Sequence, residues 1–142
     1  MKKVKYDDLI GAPFERHAFG PDSFDCIGVV REAYRRAGWS SSALPTADNE
    51  EVCAAACAVD DAEVVGSEWQ RMDLVQDGAV TGRLNFGDVI VLVLEASTHV
   101  SVVIDSSLQL ALSAAEELGV YACPVPRLRC ITGVYRLREE SR

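Results

Sequence analysis

Two residues of this chain have the types and surroundings that nucleophilic catalysis requires: Cys26 and His99. Asp25 is a good helix N-cap type, and a helical stripe of Ile27, Val29, Val30, Ala33, Tyr34 and Ala37 follows it. Cys26 is therefore expected in the first turn of a helix over 26–37. Unpaired backbone N–H groups and the helix dipole gather there and favour a thiolate over a thiol. The same N–H groups can hold the oxyanion of a tetrahedral intermediate. His99 is expected to open a strand, with Ser101 on its own face and Val100, Val102 and Ile104 on the other. A histidine projecting from a strand start towards a helix end would supply the general base. Either residue alone says little, because a lone helical cysteine is usually a small core side chain and a lone strand histidine is usually structural.

The elements that must position this pair follow from periodicity. Residues 7–11 read as a short helix ended by Gly11-Ala12-Pro13, and 14–22 as a loop containing Gly20-Pro21. Gly38 stops the Cys26 helix. Residues 39–46 are Ser-rich and loop-like. Asp48 with Glu51 resembles a capping box before a second helix over 51–59. Residues 64–81 carry no decisive pattern; Trp69 and Met72 are the anchors there. The second half changes character. Segments 88–94, 99–104 and 131–137 are rich in β-branched residues, 108–112 and 120–124 are short apolar runs, and turn residues separate them, so each is expected as a strand. Helices followed by strands with short links predict an α+β domain, its helices packed on an antiparallel sheet of about five strands.

Composition narrows the function. A chain of 142 residues, 49% apolar, suits one domain over 1–142 with a core that needs no metal or disulfide. A net charge of −8 argues against nucleic acid and against an anionic membrane surface as partners. No apolar run follows the basic start Met1-Lys2-Lys3, so no signal peptide is expected, and no stretch is long enough to cross a bilayer. A cytoplasmic product, carried elsewhere only by other machinery, is the expectation. Five cysteines, an odd number without a secretory signal, do not read as a disulfide framework. Cys53 and Cys57, four apart, could join Cys123 and Cys130 around zinc, but the spacing is not that of a short-loop knuckle, and four small buried side chains is the preferred reading. No metal or cofactor is expected. His17 lies in a polar loop nine residues before Cys26, and the pairs Asp60-Asp61 and Glu116-Glu117 read as solvated turns.

Four groups of residues then occur in a telling order: Gly11-Ala12-Pro13-Phe14, Phe24-Asp25-Cys26-Ile27-Gly28-Val29-Val30, Gly87-Asp88-Val89-Ile90 and His99-Val100-Ser101-Val102-Val103-Ile104. This set resembles the NlpC-type cell-wall cysteine peptidases, a papain-like family. The tail Gly119-Val120-Tyr121, Pro124 and 127–136 resembles the form found in phage tails and gene transfer agents. The resemblance spans about residues 9–138. It implies a papain-like fold, Cys26 as nucleophile, His99 as base, and hydrolysis of peptide bonds in peptidoglycan stems. Phe14, Asp25 and His17 are the candidates to line a substrate cleft, with a solvated loop histidine the preferred reading of His17, and the resemblance implies a partner in a tail-like assembly.

The chain departs from that family's pattern. Phe14 stands where the family has Tyr, and Ser101 where it has Gly. The third polar residue, commonly His, falls on Ser113 when counted back from Gly119 and on Ala111 when counted forward from His99; Gln109 is a further candidate. These departures keep two alternatives open: a catalytically degenerate module that binds wall peptides or a tail-like partner, and an acyltransferase or amidase on the same scaffold.

Overall fold

The computed structural model describes residues 4–16, 18, 20–39, 69–94 and 97–142. The expected second helix over 51–59, with Cys53, Cys57 and Asp60-Asp61, lies outside the described residues, as does His17.

The architecture is α+β. Among the described residues there is one α-helix, α1 (Cys26–Ala37), and eight strands: β1 (Trp69–Met72), β2 (Val75–Gln76), β3 (Ala79–Val80), β4 (Val89–Leu94), β5 (Ser97–Asp105), β6 (Leu110–Ala115), β7 (Gly119–Pro124) and β8 (Ile131–Leu137). Six form an antiparallel sheet in the order β1-β8-β4-β5-β6-β7, and β2 and β3 pair as a separate small ribbon. The sheet thus has one strand more than the sequence suggests. The extra strand is β1, whose Trp-Gln-Arg-Met run has no alternation of its own and pairs through its register with β8, Trp69 opposite Leu137. The short helix expected over 7–11 is a single 3-10 turn, Asp7–Leu9. No described helix is long and apolar enough to cross a membrane.

Both ends of α1 are specified by sequence. The Asp25 side chain accepts a hydrogen bond from the Gly28 amide at 2.6 Å, closing the N-terminus. Gly38 takes the left-handed conformation at φ 74° and returns its N–H to the Arg35 and Tyr34 carbonyls.

The sheet separates two apolar layers. On one face Val89 and Val91 of β4, Val100, Val102 and Ile104 of β5, Leu112 and Ala114 of β6, and Tyr135 and Leu137 of β8 meet Val29, Val30, Ala33 and Tyr34 of α1. On the other, Ile90, Leu92, Val103, Ala111, Ile131 and Val134 pack with Leu84 and Val125, and partly buried Met72 and Val75 join them. The two lists alternate along β4, β5 and β6, as a pleat covered on both sides requires, while in β8 Ile131 and Val134 share a face because the register with β4 shifts between Val91 and Leu92.

Polar anchors fix the loop before β4. The Tyr34 hydroxyl donates to the Gly87 carbonyl at 2.6 Å. Asp88 is fully buried and takes both arms of Arg136, Nε and Nη2, at 2.8 Å each, together with the Asn85 amide. That pairing raises the Arg136 pKa above its ordinary value. At Gly87, φ is +85° and a Cβ would strike the Trp39 ring, so only glycine fits.

Candidate functional site

The approach to Cys26 is built from the N-terminal segment. Phe14 and Phe24 form a parallel bridge: the Phe24 amide donates to the Pro13 carbonyl at 3.0 Å and the Glu15 amide to the Phe24 carbonyl at 3.2 Å. The Asp25 amide donates to the Ala18 carbonyl at 2.9 Å. The segment is also tied to β7, through Gly11 N–H to Val120 O and Val120 N–H to Ala12 O, both 2.8 Å. Gly119 sits at φ +69° under this crossing, where a Cβ would meet the Ala12 carbonyl. Phe14 is therefore held beside Phe24, two residues before Cys26, with its ring partly buried against the helix-side core.

Cys26 is the first residue of α1, directly after its cap. Its thiol is outside any disulfide and its side chain is only 2% exposed, as part of the helix-side core. Asp25 beside it is equally buried, with its carboxylate turned to the Gly28 amide.

His99 lies on β5, one of the strands against which α1 packs. It is the third residue of that strand, not the first as the sequence suggests, because Ser97 and Thr98 already pair with Leu94 and Val93. Its partner across β4 is Leu92, and that of Ser101 is Ile90. Leu92 and Ile90 belong to the layer away from α1, so the pleat puts the His99 and Ser101 side chains on the sheet face opposite the helix. The sharing of a face by His99 and Ser101 is as the sequence suggests; the expected projection of His99 towards the helix end is not what the strand direction gives.

Ser113 stands on β6 and is buried. Its hydroxyl donates to the Val100 carbonyl at 3.0 Å, and it pairs with Tyr121 across β7. Ala111, the alternative from counting forward, pairs with Cys123 and packs in the second layer. Gln109 is not on the strand at all. It occupies a turn at φ +52°, donates to the carbonyls of Leu84 and Ser106, and accepts from the Leu84 amide, so its amide group is committed to holding two loops together. Leu108, expected to begin this strand, is 65% exposed in the same turn, which Asp105 closes by accepting from the Leu108 amide.

The structure therefore gathers His99, Ser101, Ser113 and Tyr121 on one face of β5, β6 and β7, and Cys26, Asp25 and Phe14 at the helix N-terminus on the other side. A thiol–imidazole contact requires the His99 ring to reach past the backbone of its own strand. Sequence points to Tyr121 only within the tail segment Gly119-Val120-Tyr121 and not as a site residue; its alternation with buried Val120 is the available signal. Of the remaining cysteines described, Cys123 is partly buried and Cys130 is exposed at φ +61°, so the reading of Cys130 as a buried side chain is corrected. Among the described residues no three His, Cys, Asp or Glu side chains gather as metal ligands would.

No known family model, curated protein or solved structure matches this chain.

Proposed function

We propose that the chain is a cysteine hydrolase acting on a peptide or amide bond, with Cys26 as nucleophile and His99 as base. The observation that carries this reading is the position of Cys26: first turn of α1, capped by Asp25, on a helix packed against the strands that bear His99 and Ser113. In the mechanism, the His99 ring turns past the backbone of β5 to take the Cys26 proton, the thiolate attacks the carbonyl carbon, and first-turn amides hold the oxyanion. The amine leaves with a proton from His99, and a thioester remains. Water, deprotonated by His99, then releases the acid and restores the thiol. Ser113 would accept the imidazole N–H and orient the ring. The resemblance to NlpC-type peptidases supports a papain-like arrangement, peptidoglycan stem peptides as substrate, and delivery to the wall within a phage-tail-like particle.

The test is the pH dependence of Cys26 alkylation in a variant whose other cysteines are replaced, with and without His99→Ala. A rate plateau well below the ordinary thiol pKa of about 8.5, lost without His99, is expected. A profile with an ordinary thiol pKa that ignores His99 sinks the pair. Cys26→Ala should also abolish turnover of wall peptides.

A second reading is favoured by the burial of Cys26 and the placement of His99 on the sheet face away from α1. In it the fold is kept as a module that binds wall peptides or a tail-like partner without turnover. An acyltransferase or amidase on the same scaffold would be separated from the hydrolase by product analysis, as transfer to an amine or alcohol.

A further inference from the structure

A cleft of about 410 Å³ opens between the N-terminal turn and α1, with Leu9, Ala12 and Pro21 on its walls and Asp8, Glu32 and Arg36 at its rim. Arg36 is its most heavily bonded side chain. Nη1 and Nη2 face the two Asp8 oxygens at 2.7 Å each, Nη1 also donates to the Lys5 carbonyl at 2.9 Å, and Nε donates to Glu32 at 3.1 Å. The two partners differ in exposure: the Asp8 side chain is 67% exposed and that of Arg36 20%. Asp8 is thus a solvent-facing carboxylate laid on a guanidinium that the protein holds independently from two other directions.

We propose that this cleft binds a small apolar-bodied monocarboxylate, such as the C-terminal end of a short peptide, which takes the place of Asp8 on Arg36. The fork geometry suits a carboxylate, and the Lys5 and Glu32 contacts keep the fork aimed when Asp8 swings out. Asp8 is the exposed partner of that fork, so an incoming carboxylate reaches Arg36 by exchanging with it from the solvent side. Charge selects the ligand. With Asp8 in place, two carboxylates and two arginines, Arg35 among them, balance at the rim. Removal of Asp8 leaves room for one negative charge, while Glu32 opposes a dianion such as phosphate. The cleft volume suits a ligand the size of a capped amino acid or dipeptide. This inference is independent of the hydrolase reading, since no part of it uses Cys26 or His99.

The test is a titration of the full chain at low ionic strength with N-acetyl-leucine and with N-acetyl-leucinamide, followed by amide chemical shifts at Leu9 and Ala12. The acid should bind saturably and in preference to the amide. Asp8→Ala should tighten the acid by about two- to fivefold. Arg36→Lys, which keeps the charge but loses the fork, should weaken it severalfold; circular dichroism checks that the variant is folded. Equal binding of acid and amide, unchanged acid binding in Arg36→Lys, or no preference for the acid in Asp8→Ala would each overturn the proposal.

Discussion

Ser113 on β6 donates its hydroxyl proton to the carbonyl of Val100, the residue that follows His99 on β5. That bond consumes the only proton of the serine and leaves oxygen lone pairs as what it can offer an imidazole N–H. It also makes Ser113 a structural residue, whatever its part in chemistry.

Ser113→Ala should cost about 1 kcal/mol of folding stability, read by urea denaturation, because it removes one buried hydrogen bond. If Ser113 also orients His99, the pH profile of Cys26 alkylation should move in Ser113→Ala in the same direction as in His99→Ala, but less. A stability loss with no change in that profile would confine the residue to holding β5 and β6 together.

Asp25 has two effects that a pair of variants separates. Its carboxylate caps α1, so Asp25→Ala should cost about 0.5–2 kcal/mol. Its negative charge stands one residue from the thiol and opposes thiolate formation. Asp25→Asn keeps an acceptor for the Gly28 amide and removes the charge. It should lose little stability and alkylate faster at neutral pH than the wild type. Stability is read by thermal unfolding and reactivity by iodoacetamide labelling; slower labelling in Asp25→Asn would show that the cap, not the charge, governs the thiol.

What the sequence made legible is what local rules determine. Asp25 and Gly38 delimit α1, and the β-branched run over Ile131–Leu137 is a strand from end to end. Alternation at Val100, Val102 and Ile104 correctly put His99 and Ser101 on one face. What alternation cannot say is which face the helix will cover. That depends on the whole sheet: α1 settles on the face where β4, β5, β6 and β8 together offer Val, Leu and Tyr side chains. For the same reason β1 was not readable, since its four residues become a strand only by pairing with β8. Gln109 was misassigned because a left-handed turn conformation at a non-glycine residue leaves no mark in the residue pattern, and its side chain is held by a loop 25 residues away.

Tyr34 links α1 to the loop before β4, and its titration gives that link a pH signature. Burial raises its pKa well above the ordinary tyrosine value, the Asp88 carboxylate adds to the rise, and Arg142 offsets part of it. The folded chain therefore holds the phenolic proton at a pH where the unfolded chain has released it. The contribution is complete below the ordinary tyrosine pKa and is lost progressively as pH rises above it. Tyr34→Phe should remove this alkaline loss. At neutral pH it should cost about 1–3 kcal/mol, because the Gly87 carbonyl loses its buried donor. Urea denaturation at neutral and alkaline pH measures both effects; an unchanged alkaline slope in the variant would assign the loss to other groups.

The acid side rests in part on Glu32, which α1 places between two arginines. Arg35 donates to it from Nε at 2.6 Å and from Nη2 at 2.7 Å, and Arg36 donates from Nε at 3.1 Å. The Arg35 hydrogen bonds lower the Glu32 pKa most; burial opposes them, and Arg36 lowers it further. Because the folded pKa lies below the unfolded one, the unfolded chain binds the proton first as pH falls. The stabilisation is fully present above the ordinary glutamate pKa and is lost as pH drops through the folded value. Helical pairs of this kind are worth about 0.3–0.5 kcal/mol each, so Glu32→Gln should cost under about 1 kcal/mol at neutral pH. The same variant should lose less stability than the wild type between neutral pH and the pH where carboxylates are protonated. Salt separates this contribution from packing, since screening weakens the pairs in the wild type and has little to act on in Glu32→Gln. Equal acid and salt sensitivity in the two proteins would show that the arginines hold Glu32 in place without stabilising the helix.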